Sequence, residues 1–200
     1  VMQDDGNGVV YRPNNSAAWS TNTFMQTVNL HVKVLTNPSR FPIAQMVSTM
    51  RDIYIDAGVN VVLRSTETLN AANPTLAALN DVDTGTCMGG QASAEQSALS
   101  NFRANAGAND VVVYVCRSVS YDKGSANGCA SFPAGRPMAV IASYCSVYTM
   151  AHEVGHVLGL NHVNDNNRLM TGLGTDNITN APPDLIASEI MTMINSGFTV

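Results

Sequence analysis

Charge is scarce in this sequence. Only 12% of its 200 residues are charged, against 45% that are hydrophobic, a balance that predicts a packed core rather than disorder. The few charges sum to −5, and the ten Lys and Arg residues form no basic cluster, which argues against nucleic acid or an anionic membrane as a partner. No apolar run approaches the roughly 20 residues that cross a bilayer. The opening residues, Val1-Met2-Gln3-Asp4-Asp5, lack the basic and apolar regions of a signal peptide. A mature or trimmed form is therefore expected, with any export signal or inhibitory prosegment outside this chain. There are four cysteines, Cys87, Cys116, Cys129 and Cys145, and no CxxC pair, so the thiolate zinc and dithiol redox motifs are absent. Buried free thiols are one reading of them. Two disulfides are the favoured one, because low charge and abundant Asn, Ser and Thr suit a secreted, extracellular protein. Asn14-Asn15-Ser16 and Asn177-Ile178-Thr179 match the N-glycosylation triplet. No internal repeat or low-complexity segment is present, and the length suits one domain, 1–200.

Histidine is equally scarce, at four residues. Three of them fall in one stretch, His152-Glu153-Val154-Gly155-His156-Val157-Leu158-Gly159-Leu160-Asn161-His162. With residues 149–158 helical, His152 and His156 stand one turn apart on one face. Two imidazoles so placed can hold a zinc ion, with Glu153 beside them to act on a zinc-bound water. Gly159 falls where a helix ends on a left-handed residue and the chain reverses, which can return His162 as the third nitrogen ligand. Three protein ligands leave a fourth position open, the pattern of catalytic rather than structural zinc. The fourth histidine, His31, lies in an apolar run and is expected to be a strand residue without a chemical role.

Along the chain, residues 1–27 are polar and read as an arm lying on the domain, with Trp19 and Phe24 as anchors. Residues 28–35 alternate as a strand. Pro42 fits the first position of a helix whose apolar face is Ile43, Met46, Val47, Met50, Ile53, Tyr54 and Ala57. A second strand follows at 59–63, and a strand, crossover helix and strand imply a right-handed parallel pair. Between 64 and 109 the pattern is irregular, with a helix expected over 94–106. Asp81-Val82-Asp83-Thr84-Gly85 is carboxylate-rich and can bind calcium, but a solvated loop is preferred because the spacing is not that of an EF-hand. Val111–Cys116 and Met138–Ala142 are continuous apolar runs, as expected of strands buried on both faces. Residues 117–128 read as a polar loop, and Cys129, Ala130, Ser131 and Phe132 as a short edge strand limited by Pro133 and Pro137. A last helix is expected over 184–194.

The zinc stretch, HExxHxxGxxH, together with Arg168-Leu169-Met170-Thr171-Gly172 shortly after it, resembles the metzincin clan of zinc metallopeptidases. The short run from His162 to Met170 resembles the matrixin branch most. Val163 stands where matrixins usually carry serine, and no tyrosine follows Met170 where astacins and serralysins place an extra ligand. The resemblance implies a metzincin-like fold, of α+β or α/β class. Its upper lobe, 1–159 including the zinc helix, would hold a mostly parallel, twisted five-stranded sheet with two helices. A small lower lobe, 160–200, would carry the methionine turn and one helix, with zinc in the cleft between. Met170 would support the metal site from below.

The same resemblance implies a monomeric, secreted zinc endopeptidase. Its substrates would be peptide bonds in extended protein chains, held by strand addition along residues 129–132. It also implies a segment around Cys129 running antiparallel to 138–142, which favours Cys129–Cys145 and leaves Cys87–Cys116; Cys116–Cys145 is the rival pairing. Two other classes are kept open: a zinc-binding interaction module without peptidase activity, and a hydrolase of non-peptide amides.

Overall fold

The two uninterrupted apolar runs organise the molecule. In the computed structural model, which describes residues 9–13, 17–20, 25–70, 72–88 and 90–200, both are strands buried along their whole length. In chain order the elements are β1 (Val9–Tyr11), β2 (Ala17–Ser20), β3 (Gln26–Val34), α1 (Ile43–Ile55), β4 (Val59–Thr68), α2 (Pro74–Ala78), β5 (Asp81–Asp83), α3 (Ala94–Leu99), β6 (Val111–Cys116), β7 (Ser118–Tyr121), β8 (Gly124–Ala126), β9 (Gly128–Cys129), β10 (Met138–Ala142), α4 (Thr149–Val157), a 3₁₀ turn (Thr175–Asn177) and α5 (Ala187–Ile194). The main sheet has five strands in the order β4-β3-β6-β10-β9. Its first four are mutually parallel, and β9 runs antiparallel to β10 at the edge.

Side chains alternate across this sheet and feed two cores. Val28, Leu30 and Val32 of β3, Val113 and Val115 of β6 and Ile141 of β10 face Met46, Met50 and Tyr54 of α1 and Met150 and Val154 of α4. On the other face Val112, Tyr114 and Cys116 of β6 and Met138 and Val140 of β10 meet Leu76 of α2, Val82 of β5, Leu99 of α3 and Val119 of β7. Cover on both faces explains why β6 and β10 read as unbroken apolar runs rather than alternating ones. Each fully buried Val, Leu, Ile or Met contributes about 1.5–3 kcal/mol. The helix α4 is fixed to its neighbour by Tyr54, whose buried hydroxyl donates to the carbonyl of Ala151 at 2.7 Å.

Several expectations need correction. β4 continues past Leu63 to Thr68 because it is the outer strand, where polar side chains such as Arg64 and Thr66 stand in solvent. The expected loop 117–128 contains the β7–β8 hairpin, which joins β5 in a second, three-stranded sheet. The helix expected over 94–106 stops at Leu99. Ser93 and Gln96 close a capping box at its start, while the Ser100 hydroxyl and the Asn101 amide both donate back to the Ser97 carbonyl and end it. The last helix begins at Ala187, since Asp184 is drawn into backbone pairing with Asn167 and Leu169. Asp81 and Asp83 lie in β5. Asp81 pairs with Arg117 and Ser118, and Asp83 accepts from the backbone of Gly85. His31 does lie in a strand, β3, where its Nδ1 meets Ser65 Oγ at 2.8 Å and its Nε2 meets Asp110 at 3.3 Å. Of the expected arm anchors, Trp19 pairs through its backbone with Val10, and Phe24 lies outside the described residues.

The disulfide expectation is overturned. The bond joins Cys87 to Cys129, with Cα atoms 5.9 Å apart, while Cys116 and Cys145 are buried free thiols. The two sides of the sheet account for the exclusion of Cys145 from any bond. Cys129 and Cys116 point into the core beneath α2 and α3, whereas Cys145 lies in the core beneath α1 and α4. Cys129–Cys145 and Cys116–Cys145 would both have to pass through the sheet. Cys87 reaches Cys129 from the loop after β5, on the same side.

Candidate metal centre

Two of the three histidines belong to α4 and the third to the loop beyond it. The helix follows β10 through a turn stitched by the Ser146 and Thr149 hydroxyls, 3.2 Å apart, and Thr149 reaches on to Thr175 at 2.8 Å. It ends in a Schellman turn. The Gly159 N–H donates to His156 O and the Leu160 N–H to Gly155 O, both at 3.0 Å, and Gly159 has φ +92°. Glycine adopts that conformation without the Cβ penalty of other residues. The reversed chain then runs beside the methionine turn, with Val163 N–H donating to Met170 O and Gly172 N–H to Val163 O, both at 2.8 Å. His162 is thereby carried back over the helix.

The three Nε2 atoms converge. His152 and His156 are 3.2 Å apart, His152 and His162 3.1 Å, and His156 and His162 2.9 Å. Ligands at about 2.0–2.1 Å from a tetrahedral zinc stand about 3.3 Å from one another, so the triangle is close to the size the ion requires. Tautomers support the same assignment. His152 Nδ1–H donates to Leu169 O and His156 Nδ1–H to Leu160 O, each at 2.7 Å, which leaves both Nε2 atoms with a lone pair directed at the common centre. Carbonyls that orient ligating imidazoles in this way are typical of metal sites. Burial, with the neighbouring imidazoles, pushes His152 down to about 3 and His156 down to about 4; His162, the most exposed of the three, is lowered by burial as well. The triad is thus neutral and ready for a cation at ordinary pH. Among the described residues it is the one group of three or more His, Cys, Asp or Glu side chains that could hold a metal ion.

Glu153 stands beside the triad on α4, and burial raises its carboxyl to about 8; a bound cation would oppose that shift. Met170 is fully buried below the helix. A Cβ on Gly155 would lie 2.7 Å from Met170 Sδ, so the glycine inside the zinc helix is the space into which the methionine fits. The expected edge strand 129–132 is shifted and shortened to β9, Gly128–Cys129. The Ser131 carbonyl accepts from Gln96 and its hydroxyl donates to Met88 O, which removes it from strand pairing. Sequence reasoning missed Leu160 and Leu169 as orienting carbonyls, and Gly128 and Gly155 as close contacts. Only Gly155 leaves a trace in the sequence, as a glycine in a helix interior with no turn to explain it.

A sheet-backed helix presents two histidines and a glycine turn returns a third, so three nitrogen ligands could hold one metal ion with a further position left open. The chain belongs to Metallo-peptidase family M12, whose profile matches residues 18–192. No curated protein matches the chain in sequence. Among solved structures it is similar to metalloproteinase-II from Bacteroides fragilis, with a TM-score of 0.54 and 16% identity over 87% of this chain and 54% of that one. It is also similar to archaemetzincin from Methanopyrus kandleri, with a TM-score of 0.55 and 16% identity over 88% of this chain and 97% of that one. The chain spans about half the length of the Bacteroides protein. Identities this low speak to the fold.

Proposed function

We propose that this chain is a secreted, zinc-dependent endopeptidase that cleaves peptide bonds within extended polypeptides. The observation that carries the reading is the convergence of three neutral Nε2 atoms beside a buried carboxylate, in a chain of a metallopeptidase family. His152, His156 and His162 would hold the ion. When bound, zinc supplies a Lewis acid that polarises the scissile carbonyl and lowers the pKa of water towards neutrality. Glu153 takes a proton from the attacking water as its oxygen bonds to the carbonyl carbon, and passes that proton to the departing amine as the C–N bond breaks. General base catalysis of this kind is worth about 10² to 10⁴ in rate. The β9 edge offers backbone groups to a substrate strand. The region before Gly159 and the region after it would act as the two walls of the substrate cleft.

Glu153→Gln tests the assignment. The variant is expected to keep its zinc and its thermal stability and to lose nearly all cleavage of denatured casein, and a chelator is expected to abolish the wild-type activity. Zinc-loaded Glu153→Gln with wild-type turnover would remove Glu153 from the mechanism, and wild-type protein inert on casein would favour a zinc-binding interaction module.

A further inference from the structure

The edge strand approaches Glu153 more closely than a side chain on that strand would allow. A Cβ on Gly128 would lie 2.6 Å from Cγ, 2.7 Å from Oε1 and 2.8 Å from Cδ of Glu153, where ordinary contact begins at 3.4 Å. The φ of Gly128 lies outside the left-handed range, so the backbone there suits any residue and the requirement for glycine is one of space. Glu153 is itself only 6% exposed. The backbone at 128 therefore forms one wall of the volume its side chain fills.

That wall is anchored on both sides of the glycine. On one side, Asn127 O accepts from the Ala142 N–H at 2.8 Å. The Asn127 amide donates to Asp176 at 2.9 Å, and Arg40 holds Asp176 at 2.7 Å. On the other side, Cys129 pairs in register with Val140 and is bonded to Cys87. The strand is thus tied to β10, to the loop beyond the methionine turn and to the loop after β5, with the unhindered glycine between the ties.

We propose that Gly128 is a positioning residue for Glu153: its backbone, pinned through Asn127 and Cys129, sets where the carboxylate stands. The inference rests on Glu153 being the proton carrier. A Cβ at 128 would have to move the Glu153 side chain by about 0.6–0.8 Å to restore ordinary contact, and a misplacement near 1 Å can cost on the order of 10²-fold in rate.

The test combines kinetics with a stability cycle. Gly128→Ala is expected to retain about one zinc per chain, since no ligand is touched. Its kcat per bound zinc should fall by about 10- to 100-fold, with a much smaller change in KM. Its Tm should also fall, whereas in a Glu153→Ala background the same substitution should no longer lower Tm, because the clashing atoms are gone and Ala restricts the unfolded chain more than Gly. The proposal is overturned if kcat per zinc stays within about twofold of wild type, or if the Tm loss is equal in the two backgrounds. Should Gly128→Ala alone fail to fold, the Gly128→Ala/Glu153→Ala protein must fold; failure of both overturns the proposal too. The Tm cycle needs no turnover, so wild-type protein inert on peptides would sink the peptidase reading while the contact is still judged on its own.

Discussion

Gly155→Ala should reverse its sign according to what stands at position 170. In a helix interior, replacing Gly by Ala contributes about 0.8–1.0 kcal/mol of stability. Here the added Cβ would lie 2.7 Å from Met170 Sδ, 3.4 Å from its Cε and 3.5 Å from Leu160 Cδ1. Met170 is fully buried, so it has little room to retreat, and overpacking a full core costs about 1–3 kcal/mol. The net effect is a destabilisation of up to about 2 kcal/mol, or up to about 8 °C in Tm for a chain of this size. In a Met170→Ala background the clash disappears and helix propensity is left alone. Gly155→Ala should then stabilise by about 1 kcal/mol, or about 2–4 °C. Because Leu169 O holds His152, a displaced Met170 should also weaken zinc binding, by about 10- to 100-fold for a disturbed orienting partner. The assay is thermal unfolding of all four proteins at one fixed free zinc concentration, since bound metal itself adds stability. If Gly155→Ala has the same effect in both backgrounds, the methionine is not what demands the glycine.

Three further outcomes are expected. The Cys87→Ser/Cys129→Ser protein should lose about 4 kcal/mol in urea unfolding, from the chain entropy of a loop spanning 42 residues; peptide mapping that joins Cys129 to Cys145 would end that account. Gly159→Val should lower zinc affinity without touching a ligand, because φ +92° excludes a β-branched residue and its Cβ would crowd Thr192 at 3.2 Å; unchanged affinity would refute the turn argument. Asp81 should titrate at about 2, held down chiefly by its hydrogen bond from Arg117 and then by Ser118. Its folded pKa is depressed, so its contribution to stability is present above about pH 4 and lost as pH falls through about 2. Carboxyl NMR should show this midpoint, and Arg117→Ala should raise it.

What the sequence made legible was what short-range periodicity controls. The apolar runs of β6 and β10, the amphipathic face of α1 and the one-turn spacing of His152 and His156 all lie within a few residues of themselves. What it hid depends on which long-range neighbour a side chain meets. Cys145 follows β10 by three positions, and no local pattern says that it turns under α4 while Cys129 turns under α3. Gln96 ends the strand character of Ser131 from 35 residues away. The contacts of Gly128 with Glu153 and of Gly155 with Met170 are of the same kind: a glycine required for space carries no local mark unless, like Gly155, it interrupts a helix.

The candidate metal centre is accordingly a product of several distant parts, although its three histidines span only eleven residues. The start of α4 is set by β10 and by Tyr54, which grips Ala151. Its end is set by the Schellman turn at Gly159. The ring of His152 is turned by Leu169 and that of His156 by Leu160, one before the methionine and one after the turn. The return of His162 depends on pairing with residues 170–172. Apart from the Tyr54 hydroxyl, each of these supports is a backbone group, so substitution of the side chain that bears it leaves the hydrogen bond in place. Disturbance has to come through the packing that holds the backbone, at Gly155, Gly159 or Met170. Variants there should therefore loosen the metal, whereas variants at Gly128 should leave it bound and misplace the carboxylate. Zinc affinity measured against kcat per bound zinc separates the two groups, and a Gly128 variant that loses zinc in proportion to activity would place it with the first.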